Sequence, residues 1–134
     1  MTLLRIGNSG YRQAEAGHIT KCFGKSSDIN RSHDPSGSFL VGTPASDVII
    51  GSPDRDHIEG RGGRDFICAG GGDDESLGGI GNDRLSGGRG RDLIRGGNGS
   101  DLLKGGAATD TGTGGRGTDV CVNVESRTSC EVVP

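Results

Sequence analysis

The sequence has no tryptophan, one tyrosine and three phenylalanines among 134 residues, and its hydrophobic residues amount to 29%. So little apolar surface cannot stabilise a compact fold by burial alone, especially where 28 positions are glycine, the residue that loses most backbone freedom on folding. A ligand that binds only the folded form, or a covalent cross-link, has to supply the remainder. No apolar run is long enough to cross a bilayer, and the opening stretch MTLLRIGNSGYRQAEAGHIT lacks a secretory hydrophobic region. A net charge of -3, with basic residues scattered among acidic ones, argues against nucleic acid or an anionic membrane as partner. The length gives room for one domain and none for an accompanying catalytic domain of ordinary size.

Catalytic patterns are missing too. There is no H-E-x-x-H, the histidines at 18, 33 and 57 are far apart in sequence, and no serine lies in G-x-S-x-G. Gly24-Lys25-Ser26 resembles the end of a phosphate-binding loop, but Ile19 stands where its first glycine is required. Asp54 and Asp56 suggest the opening of an EF-hand loop, yet its twelfth position is Asp65 and the loop glycine is misplaced. The chain is therefore expected not to be an enzyme. Without a C-x-x-C pair zinc is not indicated. Cys22, Cys68, Cys121 and Cys130 form an even set in a small glycine-rich chain, which favours disulfides and an oxidising compartment.

What the sequence does contain is a beat. Nine aspartates, Asp47, Asp56, Asp65, Asp74, Asp83, Asp92, Asp101, Asp110 and Asp119, follow one another at intervals of nine residues. Three consecutive blocks give the unit in full, GGIGNDRLS from Gly78, GGRGRDLIR from Gly87 and GGNGSDLLK from Gly96, all reading G-G-x-G-x-D-x-U-x with U a large apolar residue. This array resembles the haemolysin-type calcium-binding nonapeptide repeat of the RTX (repeats-in-toxin) proteins. The resemblance implies an all-β fold, a right-handed parallel β-roll, or β-solenoid, of about four and a half coils with eighteen residues in each.

Three segments follow. Residues 1–41 carry no repeat and are expected to form an irregular leader or N-terminal cap, residues 42–122 the roll of nine blocks, and residues 123–134 a C-terminal cap. Within a block, G-G-x-G-x-D is expected to be a turn and x-U-x a very short strand with U inward. Strands from alternate blocks then share a sheet. One sheet has Ile49, Ile67, Leu85, Leu103 and Cys121 as an unbroken inward ladder; the other has Ile58, Ser76, Ile94 and Gly112, broken at two rungs, with Leu77 available to rotate in for Ser76. That second sheet is expected to be the looser, and residues 110–113 its weakest strand.

Calcium takes six to eight oxygens from carboxylates, main-chain carbonyls and water. Glycine-rich turns let carbonyls converge, and the aspartate closing each turn adds charge, so several Ca2+ ions are expected between turns stacked eighteen residues apart. The candidate ligands are the aspartates Asp56, Asp65, Asp74, Asp83, Asp92, Asp101, Asp110 and Asp119. The glycine positions that go with them are Gly60, Gly62, Gly63, Gly70, Gly72, Gly78, Gly79, Gly81, Gly87, Gly88, Gly90, Gly96, Gly97 and Gly99. The turns GTPASD (42–47) and GSPDRD (51–56) read as caps without an ion of their own, and Ala108 replaces the third glycine of turn 105–110. The alternative for a single aspartate is a turn cap bonded to its own backbone. Nine in register would leave stacked carboxylates repelling one another if nothing neutralised them.

The cysteines are similar to those of an exported RTX-like subset, in which a cysteine before the array accompanies one ending a repeat and a late-repeat cysteine accompanies a terminal Cys-Glu. That resemblance favours Cys22 with Cys68 and Cys121 with Cys130, and it implies a secreted, extracellular protein although no signal peptide is visible. Two other roles stand beside calcium-dependent folding: a non-catalytic accessory segment of a secreted hydrolase, and a structural or adhesive surface module with a protein or polysaccharide partner that the sequence does not identify.

Overall fold

A computed structural model describes residues 21–26, 29–30 and 38–132. The leader through Thr20, with its expected irregular shape, lies outside the described residues. Fifteen strands and no helix make up the described chain: β1 (Lys21–Cys22), β2 (Lys25–Ser26), β3 (Ile29–Asn30), β4 (Ser38–Val41), β5 (Val48–Ile50), β6 (Asp56–Gly62), β7 (Phe66–Gly70), β8 (Glu75–Ile80), β9 (Arg84–Arg89), β10 (Leu93–Asn98), β11 (Leu102–Ala107), β12 (Thr111–Arg116), β13 (Val120–Val122), β14 (Ser126–Thr128) and β15 (Glu131–Val132). Apart from the small β1-β2 hairpin, they form two parallel sheets, β14-β12-β10-β8-β6-β4 and β15-β13-β11-β9-β7-β5-β3. The chain alternates between the sheets, so each strand pairs with the next but one, and the result is a β-solenoid of about five turns.

The repeat sets the register. Ile49 pairs with Ile67, Ile67 with Leu85, Leu85 with Leu103 and Leu103 with Cys121, one full coil apart each time. All five side chains are buried, giving the seven-stranded sheet its unbroken inner ladder. In the six-stranded sheet the rungs run Leu40, Ile58, Ser76, Ile94, Gly112 and Arg127. Residues Ser38–Val41 thus belong to the solenoid although they carry no repeat, with Leu40 in the core.

Two details differ from the expectation. Ser76 keeps the inward place, buried at 1% exposure, and Leu77 remains half-buried on the outer side, because rotating it in would break the two-residue alternation that the neighbours Ile58 and Ile94 enforce. The strands are also longer than x-U-x. They run through the paired glycines, as in Glu75–Ile80, with pairing skipped at the first glycine and resumed at the second, Gly79 with Gly97. The turn proper is therefore the last part of the motif.

The gap at Gly112 is closed from outside the array. A Cβ at Gly112 would meet Val124 Cγ1 at 2.9 Å and Cys121 Sγ at 3.4 Å, and Val124 is buried in the same cluster as the ladder residues. Of residues 110–113, expected to be the weakest strand, 111–113 form the start of a regular six-residue β12 on that support.

Disulfides join Cys22 to Cys68 and Cys121 to Cys130, each with Cα atoms 5.6 Å apart. Cys68 sits on the outer side of β7, and Cys22 is fully buried against the solenoid. Closing loops with separations of 46 and 9 residues removes unfolded-state entropy worth about 4 and about 2.6 kcal/mol in the chain-entropy model.

The two sheets' ladders make opposite predictions at equivalent positions. Leu85→Ala is expected to cost about 2–5 kcal/mol through the cavity it opens. Ser76 Oγ is buried without a hydrogen-bond partner, so Ser76→Ala is expected to be neutral or to stabilise by about 1 kcal/mol. Urea denaturation at fixed calcium measures both, and a comparable loss in the two variants would contradict this picture.

Candidate metal centre

Inward alternation does not stop at the apolar residue. In β6 the burial order places Asp56, Ile58 and Gly60 inside, and the same inward alternation holds in the later coils, with Ala69 in the glycine place of one and Ser76 and Gly112 in the apolar place of two others. All nine repeat aspartates are buried, none exposed by more than 6%. A carboxylate row inside a solenoid is costly unless each oxygen has a partner.

In seven of the nine, Asp65 through Asp119, one oxygen is accounted for by the neighbouring coil. The N–H groups of Asp47, Asp56, Asp65, Asp74, Asp83, Asp92 and Asp101 donate to Oδ1 of the aspartate eighteen residues on, at 2.7–2.9 Å. The aspartates are thus stacked eighteen residues apart as expected, Asp65 with Asp83 and Asp83 with Asp101 on one flank, Asp74 with Asp92 and Asp92 with Asp110 on the other. Each of these seven carboxylates accepts from the preceding coil's backbone and not from its own turn, which separates them from ordinary turn caps.

The second oxygen divides the row in two. In the first two turns it is closed locally: Asp47 Oδ2 accepts from Thr43 N–H at 2.6 Å and from Thr43 Oγ1, and Asp56 Oδ2 accepts from Ser52 N–H at 2.6 Å and from Ser52 Oγ. In the other seven, Asp65, Asp74, Asp83, Asp92, Asp101, Asp110 and Asp119, Oδ2 is buried and makes no hydrogen bond. Thr43 and Ser52 stand in the place of the second glycine. Their role was legible as a hydroxyl residue four before an aspartate, a local side-chain motif that the nine-residue beat obscures.

Carbonyl oxygens converge on the same places. A Cβ at Gly78 would lie 2.6 Å from Asp83 Oδ2 and 2.6 Å from the carbonyl oxygen of Gly96, one coil on. Gly60 brings together Asp65 Oδ2 and the Gly78 carbonyl, and Gly96 brings together Asp101 Oδ2 and the Gly114 carbonyl, in the same way. Gly87 faces the carboxylate of Asp92. Ala69 holds this place in turn 69–74, so a methyl group stands beside Asp74 where the other turns carry only hydrogen.

The outer glycines form a second set of carbonyl stacks. The carbonyls of Gly70, Gly79, Gly88 and Gly97 point at the second glycine of the next coil, and those of Gly63, Gly72, Gly81 and Gly99 at the third. Gly90 receives the Gly72 carbonyl. Positive φ angles, 108° at Gly79 and 131° at Gly81, direct the backbone this way. Arg61 takes a φ of 82° in the second place of turn 60–65, which moves Gly62 to the variable third place against Pro44. Ala108 takes a φ of 77° in place of a third glycine, and Asp110 keeps the same buried, half-bonded carboxylate as its neighbours.

Among the described residues no three side chains of His, Cys, Asp or Glu converge. Oxygen donors here are one carboxylate per turn together with main-chain carbonyls, a set suited to a hard cation and unsuited to zinc. The electrostatics agree. Burial pushes Asp65, Asp83 and Asp101 up to about 6, Asp92 up to about 7 and Asp74 up to about 8, and it raises Asp110 as well. The main-chain N–H from the preceding coil pulls each value down, and neighbouring carboxylates push it up again. A divalent ion would relieve both the desolvation and the repulsion.

Comparison with protein families found one match, to the RTX calcium-binding nonapeptide repeat (4 copies), over residues 41–75, 77–111 and 87–121. Comparison with curated proteins and with solved structures found no match.

The raised values fix the sign of a pH effect in metal-free protein. The folded state holds its carboxyl protons more tightly than the unfolded chain, so this contribution to stability is complete below the ordinary value of 3.8 and is lost as pH rises through about 6 to 8. In chelator the roll is therefore expected to resist urea better at pH 5 than at pH 8. In saturating calcium, which competes with those protons, the order should reverse. Unfolding midpoints by circular dichroism at the two pH values, with and without calcium, test this, and the same ordering in both series would refute it.

Proposed function

Because the chain belongs to the RTX calcium-binding nonapeptide repeat family, we propose that it binds several calcium ions between its stacked turns and that this binding orders the β-roll outside the cell, with no catalytic role of its own. The observation that carries the reading is the row of seven buried carboxylate oxygens without partners, each on a turn rich in carbonyls. The proposed ligands are Asp65, Asp74, Asp83, Asp92, Asp101, Asp110 and Asp119 with carbonyls of the glycine segments. Asp56, a candidate on sequence grounds, has Ser52 in the role of the ion and is left out.

Energetics support coupling of binding to folding. A core of small apolar rungs cannot by itself offset ionised carboxylates placed beside one another, whereas an ion that binds only the folded chain adds about 2.7 kcal/mol per independent site at one hundred times its Kd. Two disulfides support an oxidising, extracellular setting. Of the other roles, adhesion gains little support, because the large apolar side chains exposed among the described residues are Phe39 and Ile80 alone, one in β4 and the other at the end of β8. A place beside a secreted hydrolase is a question of gene context.

Titration of chelator-treated protein should produce β-type circular dichroism cooperatively, and a full signal in chelator that millimolar calcium leaves unchanged would sink the proposal. Asp83→Asn is the sharper probe, since asparagine keeps an oxygen for the Asp65 N–H and removes the charge. It is expected to stabilise the roll in chelator at pH 8 and to destabilise it in calcium, raising the calcium midpoint; a variant that loses stability in both would point to a purely structural aspartate.

A further inference from the structure

The family match ends at residue 121, but the oxygen geometry continues past it. At Gly105, the space of a Cβ is shared by Asp110 Oδ2 and the carbonyl oxygen of Asn123; at Gly114, by Asp119 Oδ2 and the carbonyl oxygen of Ser129. Neither Asn123 nor Ser129 belongs to a nonapeptide. Both take left-handed backbone angles, φ 50° and 55°, which turn the chain sharply enough to bring a carbonyl to the place the next repeat would supply. Asp110 and Asp119 are exposed by 0% and 1%, and Oδ2 of each has no partner.

Glu125 completes the first of these arrangements. Its Oε2 accepts the Asp110 N–H at 2.8 Å from only 15 residues away, the bond that every earlier coil makes to an aspartate eighteen residues on. The shortened coil is spanned by the extra methylene of glutamate. Thr111 accordingly pairs with Ser126 and Val120 with Glu131, and the Cys121–Cys130 bridge fixes the segment against β13.

We propose that residues 123–130 complete the last two calcium sites of the array, one formed by the Gly105–Asp110 turn with the Asn123 carbonyl and the positioning carboxylate of Glu125, the other by the Gly114–Asp119 turn with the Ser129 carbonyl. This rests on the calcium reading of the repeat. The cap is then a ligand-bearing part of the array and not only a lid over its last rung.

Calorimetric titration of the disulfide-bonded full chain with calcium chloride tests it. Asp110→Asn and Asp119→Asn are each expected to lose one ion from the wild-type stoichiometry while circular dichroism at saturating calcium keeps the wild-type β signal. Glu125→Gln, which leaves an oxygen for the Asp110 N–H, should weaken one site about tenfold, as expected for removing one charge close to a divalent ion. Cys121→Ala/Cys130→Ala should weaken two ions and leave the others unchanged. Wild-type stoichiometry in either asparagine variant would overturn the proposal. Should an asparagine variant not fold, the glutamine and alanine variants decide, and titrations superimposable on wild type overturn it. No calcium heat in the wild-type chain itself would remove the calcium reading and this proposal together, a result distinct from loss of the cap sites alone.

Discussion

Everything in this fold depends on a carboxylate that is used by halves. In seven of the nine repeat aspartates one oxygen closes a main-chain hydrogen bond between coils and the other is left buried with no hydrogen-bond partner among the described residues. The first half locks the coils in register; the second makes the locked state electrostatically expensive. Sheets, glycine stacks and cross-links are arranged around that tension, and a bound cation is the partner whose charge and appetite for oxygen resolve it.

The architecture was open to reading because the beat is strict. Ile49, Ile67, Leu85, Leu103 and Cys121 could be assigned to one inner ladder by counting alone, and the structure keeps every rung. Counting fails where a residue acts across a different spacing. Val124 fills the space at Gly112, and Glu125 bonds Asp110 from 15 residues away, so neither shows in a nine-residue frame. Leu77 misled in another way: an apolar residue beside a polar one invites a swap, but a strand held on both sides cannot shift by one residue without turning its whole face over.

The candidate site was legible in its residue types and less so in its division of labour. Sequence sets the first two turns apart as caps without an ion of their own, but does not say what takes the ion's place. Only hydrogen-bond geometry shows that Thr43 and Ser52 satisfy the first two from within their own turns, and that Arg61 and Ala108 are tolerated at left-handed positions usually left to glycine. In turn 105–110 Ala108 takes the left-handed angle of the glycine it replaces, and the carboxylate of Asp110 is buried and half-bonded like those of its neighbours.

Because the chain crosses from one sheet to the other with every block, the array has a parity. Adding or deleting two blocks would lengthen or shorten the solenoid by one coil and leave both ends facing what they face now. A single block inserted ahead of Leu103 would transfer every later strand to the opposite sheet, carrying Leu103 and Cys121 off the ladder of Ile49, Ile67 and Leu85. Growth of such a chain by duplication is therefore confined to steps of eighteen residues, and the two ends, more than the repeat between them, hold the record of which sheet is which.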